Sequence, residues 1–417
     1  MLNICLSAYL LSSGLWLYLI FFKIFPIFTF SKKTILMVRF LIYFSTILLM
    51  TACQQNIDKS PTLIDLKSIY KDAFKMGTTV NHDIVSDNDS SAQKIVLTHF
   101  NSITAENVMK AEIINPEPGV YSFDQADAYV DFGQKNKMVI IGHTLVWHNQ
   151  CPDWFFKYEN GELKSKEEVK TRLHDYIKAV ASRYHGKVHA WDVVNEVIAD
   201  DGSYRPTKWV NAVGDGDELV RLSFEFAASY APDTELYYND FNAWRPSKRD
   251  GIIRMIKMLK TAGIRIDGVG MQGHWGLNFP ENKYIEEAII AYAAAGVKVM
   301  ITELDIDVLP LTKEGQIIGT GMMHEQFQLE EFEKFLDPYK DGLPEEIENL
   351  QANRYQELFD IFYRHKDKID RVTLWGVHDG MSWKNDYPIP KRTNYPLLWD
   401  RKMSPKKAFY SILNTDR

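Results

Sequence analysis

The sequence predicts an α/β protein: a single closed barrel of eight parallel strands, each followed by a helix, the (β/α)8 arrangement. Three observations carry this reading. Short apolar or β-branched runs recur eight times between Phe74 and His378, with amphipathic stretches between them. The chain from Leu63 to Leu413 holds no low-complexity linker and no tandem repeat, and a barrel of this kind reaches such a length as one domain. Each run also ends in polar or aromatic residues, and a barrel builds its site at the carboxyl ends of its strands.

The eight runs are residues 74–80, 102–106, 138–147, 188–196, 235–242, 268–275, 297–306 and 371–378. Helices are expected over 167–184, 218–230, 247–262, 282–295 and 344–365. Apolar residues recur there every three or four positions, as in Ile252, Ile253, Met255, Ile256, Met258 and Leu259. Strand–helix alternation gives a parallel sheet, and eight repeats give closure. An open doubly wound sheet is the alternative. It needs a glycine-rich phosphate loop after its first strand, and Gly77-Thr78-Thr79-Val80-Asn81-His82 is not one.

The 417 residues are 46% hydrophobic and 25% charged, the balance of a folded globular enzyme. A net charge of −7 argues against a nucleic-acid partner, which would need a basic face. The 3 cysteines (Cys5, Cys53 and Cys151) are too scattered for a disulfide framework or a thiolate metal site. Aromatic residues make up 13%, and their flat faces suit stacking against something flat, though large cores use them too.

Residues 1–53 differ in composition from the rest. Apolar runs over 1–30 and 35–50 are separated by Ser31-Lys32-Lys33. The second run is shorter than the roughly 20 residues a spanning helix needs, so an export signal fits better than two membrane segments. Met50-Thr51-Ala52-Cys53 resembles a bacterial lipobox, with Met50 where Leu is usual, and makes Cys53 the expected lipidation site. The alternative is a cysteine that simply ends a membrane anchor. The stretch before Lys32 is long for a signal, and translation is expected to start near Met37. Residues 54–62 read as a polar tether and 63–417 as the barrel domain. No apolar run of spanning length follows Cys53, which argues against an embedded transporter. The protein is therefore expected to be exported, as a membrane-anchored lipoprotein at the cell surface or in the periplasm, or as a secreted protein.

Two glutamates stand at strand ends on different sides of the expected barrel. Glu196 closes Trp191-Asp192-Val193-Val194-Asn195-Glu196 on the fourth strand, and Glu303 lies in Val299-Met300-Ile301-Thr302-Glu303-Leu304-Asp305 on the seventh. Two carboxyl groups across a cleft are what glycosidic cleavage requires: one protonates the leaving oxygen, and the other attacks the anomeric carbon or activates water. A single strand-end Glu is more often a surface or salt-bridged carboxylate; two so flanked are harder to dismiss. Residues two apart on a strand share a face, which groups Glu303 with Asp305, and Gln272 with His274 on the sixth strand. His274 then reaches Glu303 while Asp305 holds its other ring nitrogen, a network that keeps Glu303 ionised as the nucleophile. The bland alternative for His274 is a core histidine satisfied by backbone. Glu196, on a hydrophobic strand, is expected to have a raised pKa suited to a general acid.

Four segments carry a family resemblance, in order along the chain. They are Asn101-Ser102-Ile103-Thr104-Ala105-Glu106-Asn107-Val108-Met109-Lys110, Gly142-His143-Thr144-Leu145-Val146-Trp147-His148, Trp191 to Glu196, and Ile301 to Ile306. Tyr238-Asn239-Asp240-Phe241-Asn242, Gly270-Met271-Gln272-Gly273-His274 and Leu374-Trp375-Gly376-Val377 add to them. Together, across the whole barrel domain, they resemble the catalytic domain of glycoside hydrolase family 10, the retaining endo-β-1,4-xylanases on a (β/α)8 TIM barrel. The resemblance implies Glu196 as acid/base and Glu303 as nucleophile, with Asn195 on the sugar 2-hydroxyl and His274 and Asp305 tuning Glu303. It implies sugar contacts on the non-reducing side from Glu106, Asn107, Lys110, His143 and Gln150. Trp147, Trp375 and Trp383 would wall the subsites at the cleaved bond, and Gln272 and Asn239 complete the polar lining. Sugars offer C–H faces to tryptophan and hydroxyl edges to amides and charges. The implied substrates are xylan and xylo-oligosaccharides, with no cofactor, no metal, and a monomeric chain.

Two stretches depart from the compact family pattern, residues 312–353 after the seventh strand and 384–394 after Trp383. Both follow strand ends and can border the cleft. The nearest rival is another two-carboxylate barrel glycosidase acting on mannan or cellulose, from which the Glu106-Asn107-Lys110 group discriminates. A silent, lipid-anchored polysaccharide-binding protein would keep the tryptophans and could lose either glutamate. Carboxyls about 5 to 5.5 Å apart would retain anomeric configuration, and about 6.5 to 9.5 Å would invert it. His143 and His148 form no His-Glu-x-x-His zinc helix. Asp215, Asp217 and Glu218 read as a solvated acidic turn rather than a cation site, and Cys151 as a buried or half-buried free thiol.

Overall fold

The computed structural model describes residues 65–309, 337–387 and 390–413. Within them eight strand–helix units follow one another. They begin with β1 (Lys75–Val80) and α1 (Ser90–His99), β2 (Ser102–Ala105) and α2 (Asp124–Lys135), and β3 (Val139–Val146) and α3 (Lys166–Arg183). β4 (Ala190–Asn195) and α4 (Gly216–Tyr230) are followed by β5 (Glu235–Asp240) and α5 (Pro246–Thr261). The sixth unit has two strand pieces, β6 (Gly268–Met271) and β7 (His274–Gly276), before α6 (Asn282–Ala294). β8 (Lys298–Asp307) with α7 (Glu345–Arg364) and β9 (Ile369–Leu374) with α8 (Lys407–Leu413) complete the set.

Every strand pairing is parallel. Each strand from β1 to β5 pairs with the next, β1 pairs with β9, β9 with β8, and β6 with β8, which closes the barrel. This is the (β/α)8 closure that the alternation predicts. The sequence predicts 268–275 as one continuous strand, and here the structure differs. The strand breaks at Gln272-Gly273, where Gly273 takes a φ of +87°. That left-handed conformation suits glycine, and an added Cβ would stand 3.1 Å from Ile301 and 3.3 Å from Leu304 of β8. Both pieces still pair with β8.

The helices form where the sequence supplies a cap and an apolar stripe. α3 opens with a reciprocal capping box between Ser165 and Glu168 and buries Val169, Leu173, Tyr176, Ile177, Val180 and Ala181 against the barrel. Most of the core lies in this shell between strands and helices. A small second cluster of Ile141, Ala190, Tyr237 and Met300 fills the barrel interior. Gly142 is needed on the opposite face of β3, because a Cβ at that point would lie 2.1 Å from the Trp191 ring of the shell.

Ile64–Arg417 forms one unit, distinct from Met1–Leu63. The export segment 1–53, Cys53, the start near Met37 and the tether 54–62 lie outside the described residues. Among the described residues no helix is long and apolar enough to cross a membrane. Of the two expanded stretches, residues 312–336 and Pro388-Ile389 also lie outside, while 345–353 begins α7. The acidic turn is capping chemistry: Asp215 accepts from Glu218 N at 2.8 Å, and Glu218 pairs with Lys170 at 2.8 Å. Cys151 is a buried free thiol whose pKa burial pushes up to about 12.

Candidate active site

The polar strand ends converge at the carboxyl mouth of the barrel. Glu196 follows β4 directly and adopts a φ of +60°, a left-handed backbone unusual for a side-chain-bearing residue. Its N–H donates to Asn239 O on β5 at 2.9 Å. Glu196 Oε2 accepts from Trp147 Nε1 at 2.9 Å, and Oε1 accepts from Gln272 Nε2 at 2.9 Å and Asn195 Nδ2 at 3.3 Å. Glu303, on β8, is held by a different donor set. Asn239 Nδ2 donates to its Oε1 at 2.7 Å, and His274 Nε2 lies 3.1 Å from its Oε2. The two sets meet at an amide pair, since Asn239 Nδ2 also donates to Asn195 Oδ1 at 3.0 Å. Thr302 Oγ1 fixes the other end of the Asn239 amide with a 2.6 Å bond to Oδ1.

His274 is clamped between two carboxylates, with Nδ1 at 2.9 Å from Asp305 Oδ2 and Nε2 on Glu303. Burial disfavours its charged form, but the charge of Asp305 and the hydrogen bonds to Asp305 and Glu303 outweigh that and push its pKa up to about 9. It is therefore an imidazolium at neutral pH that donates to both. Asp305, buried but facing His274 and Lys384, is held below the usual carboxylate range, and Trp383 Nε1 donates to it at 2.9 Å.

For Glu196 the expected raised pKa is corrected. Burial does raise it, yet the N–H donors of Gln272 and Trp147 and the charges of His148 and Arg205 overcome burial and leave it below its ordinary value. The grouping of Gln272 with His274 also needs a different cause from strand alternation. The break at Gly273 separates them, and Gln272 turns to Glu196 while His274 turns to Glu303.

Around the carboxylates the remaining sequence-chosen residues form two groups. Lys110, nearly buried, donates to Asn107 Oδ1 at 2.8 Å and Gln150 Oε1 at 2.6 Å and stands 4.8 Å over the Trp147 ring. Burial lowers its pKa, and the charges of Glu303, Glu106, Glu196 and Glu112 pull it back up. Burial raises the pKa of Glu106 against the pull of Lys110. On the other side Trp375 meets His143 edge-on at 5.4 Å and His274 at 6.3 Å, and Trp383 meets His274 at 4.8 Å. His143 is already bonded, with Nδ1 at 2.8 Å from Asp192 Oδ2, so it borders the mouth without a free Nδ1. Among the described residues no group of three His, Cys, Asp or Glu side chains is placed to hold a metal ion.

Sequence reasoning missed several neighbours. Arg205 and His148 act on the charge of Glu196, Glu112 accepts from Gln150 Nε2 at 3.0 Å, and Tyr387 stacks on Trp383 at 4.9 Å. Tyr387 lies in the expanded loop that the sequence marks as a cleft border; Arg205 lies in a long loop with no local signal.

Residues 65–415 match Glycosyl hydrolase family 10. The chain is 40% identical over 353 residues to endo-1,4-beta-xylanase A of Xylanibacter ruminicola, covering 85% of this chain and 93% of that protein. It is 38% identical over 357 residues to the beta-1,4-xylanase of Dictyoglomus thermophilum, covering 85% and 92%. Among solved structures it is similar to a GH10 endoxylanase retrieved from sugarcane soil metagenome, with TM-score 0.77 and 42% identity over 84% of this chain and 98% of that one. A second, a mutant in complex with xylotriose, aligns with TM-score 0.73 and 36% identity over 84% and 99%. Matched along its whole barrel, the chain belongs to glycosyl hydrolase family 10.

Proposed function

We propose that the protein is an endo-β-1,4-xylanase that cleaves xylan with retention, through a glycosyl-enzyme intermediate on Glu303. The observation that carries this reading is the pair of carboxylates just past β4 and in the carboxyl half of β8, each aimed by its own donors and linked through the Asn195–Asn239 amides. Glu303, aimed by Asn239 and the His274 imidazolium, attacks the anomeric carbon. Glu196 gives its proton to the leaving oxygen as that carbon–oxygen bond breaks. The Glu196 carboxylate then takes a proton from water, whose oxygen attacks the anomeric carbon and releases Glu303. Asn195 contacts the sugar 2-hydroxyl. Trp147, Trp375 and Trp383 wall the sugars at the cleaved bond, with Glu106, Asn107, Lys110, His143 and Gln150 on the non-reducing side and Gln272 in the lining. Family membership and the xylanases among its relatives support xylan over mannan or cellulose.

The test uses protein beginning at Gln54, assayed for reducing-sugar release on xylan, mannan and a soluble cellulose derivative, beside Glu303→Ala. Release from xylan that disappears in the variant is the expected result. Proton NMR of the first product should show the β-anomer, whereas the α-anomer would establish inversion. A folded protein with no release from any substrate points instead to a silent binding protein. We also infer export and lipidation at Cys53, on the strength of the lipobox-like Met50-Thr51-Ala52-Cys53.

A further inference from the structure

We propose that Tyr238 is a positioning residue for Glu196, its phenol oxygen holding the turn that carries the acid/base carboxylate. The proposal rests on the reading of Glu196 given above. Glu196 sits in left-handed backbone, a conformation that persists only where its surroundings hold it. The two residues that follow supply the hold. Val197 N and Ile198 N both donate to the Tyr238 hydroxyl oxygen, at 3.1 Å and 3.0 Å. Tyr238 and Ile198 are fully buried and Val197 nearly so, which leaves no room for water to replace that acceptor.

The phenol is itself held. Its O–H donates to Asp240 on the same strand, and Asp240 pairs with Lys248 Nζ of α5 at 2.8 Å, with both side chains fully buried. Lys248 also stands 3.9 Å over the Phe241 ring. A phenol has one hydrogen to give and room to accept two, so all of its capacity is used here. Tyr238 and Asp240 share the face of β5 that is turned to the helix shell, and Asn239, between them, points into the mouth and binds Glu303. One strand therefore orders both carboxylates, Glu303 directly and Glu196 through its backbone. Phenylalanine at 238 would leave two buried N–H groups without an acceptor, and the turn would shift to find others.

A shift of Glu196 should harm proton donation more than it harms attack by Glu303, and leaving-group dependence separates the two. Tyr238→Phe, Glu196→Ala and the unaltered protein are compared on phenyl β-xylobioside, whose leaving group needs a proton, and 2,4-dinitrophenyl β-xylobioside, whose leaving group does not. Rates are expressed per active site counted by the dinitrophenolate burst. For Tyr238→Phe, kcat/KM on the phenyl substrate should fall roughly tenfold or more, the scale of a misplaced catalytic group. On the dinitrophenyl substrate it should stay within about twofold, since acid assistance is there dispensable. Glu196→Ala should show the same split, only wider. Equal losses on both substrates, or none on either, while Glu196→Ala keeps its split, would overturn the positioning role and leave a structural one. No split in Glu196→Ala would overturn the reading of Glu196 and this proposal with it. If Tyr238→Phe yields no countable sites, Asp240→Asn, which keeps the phenol but loosens its anchor, is read by the same criterion and should give a narrower split.

Discussion

At Glu196 burial and hydrogen bonding pull in opposite directions, and hydrogen bonding prevails. Trp147 Nε1 and Gln272 Nε2 each donate to it at 2.9 Å, so in the free site it favours the carboxylate. On the proposed mechanism acid catalysis requires a proton there, and a sugar against Trp147 would supply the reversal by excluding water and presenting an uncharged oxygen. Since kcat/KM profiles report groups of the free enzyme, the proposed mechanism assigns the alkaline limb of that profile to Glu196. Trp147→Phe removes one donor to the charged form, which raises the Glu196 pKa and should move the limb to higher pH. The profile on an aryl xylobioside checks it; a limb that stays put or moves to lower pH would mean that this donor does not control the proton. Residue identity at this site was largely legible, because Glu303, His274 and Asp305 sit in short strand-end patterns. The protonation state of Glu196 was not. It depends first on donors from two other strand ends, Gln272 and Trp147, and then on the charges of His148 and Arg205, which act only through space.

The loop that follows β9 carries Trp375 and Trp383 into the mouth, and it is pinned from below by a buried ion pair. Asp379 and Lys406 lie 3.0 Å apart; Lys406 Nζ also donates to Leu397 O at 2.8 Å and Tyr395 O at 2.6 Å, and Asp379 accepts from Leu397 N at 2.8 Å. Breaking a buried pair by removing one partner strands the other in a dry site, at about 3–5 kcal/mol. Lys406→Met should therefore lower thermal stability by that order and weaken sugar binding through Trp383. Adding Asp379→Leu should recover much of the stability, as calorimetry of the two variants would show; a single variant as stable as the parent would remove the clamp from the account. Such a clamp is invisible to periodicity, because Asp379, which opens a single 3-10 turn, and Lys406, which stands just before α8, are far apart in sequence. The strands and the five helices given a range were legible within a few residues, as 247–262 is expected as a helix and α5 spans Pro246–Thr261, whereas α1, α2 and α8 were not placed. A further exception, residues 268–275, reads as one strand because no proline or charge marks the break at Gly273, whose +87° φ and closeness to β8 appear only in three dimensions.

At the scale of the whole molecule, the barrel places its chemistry at one end and its entry point at the other. Leu66–Ile69 forms a short helix that leads into the amino end of β1, whereas Glu196 directly follows β4 and Glu303 lies in the carboxyl half of β8. A protein held at a membrane through residues before β1 would act on a long polymer from a fixed place. Residues 1–53 and the Met50-Thr51-Ala52-Cys53 pattern supply a reason to expect such a hold. A single acyl chain binds a membrane only marginally, so stable retention needs the multiple chains that a lipoprotein cysteine receives. The full chain, expressed in a bacterium fed labelled palmitate, should incorporate label and sediment with membranes. Cys53→Ala should lose the label while its barrel keeps full activity on xylan per mole of protein. Label that persists in Cys53→Ala would place the lipid elsewhere, and a parent chain without label would leave the N-terminal run as a plain export signal.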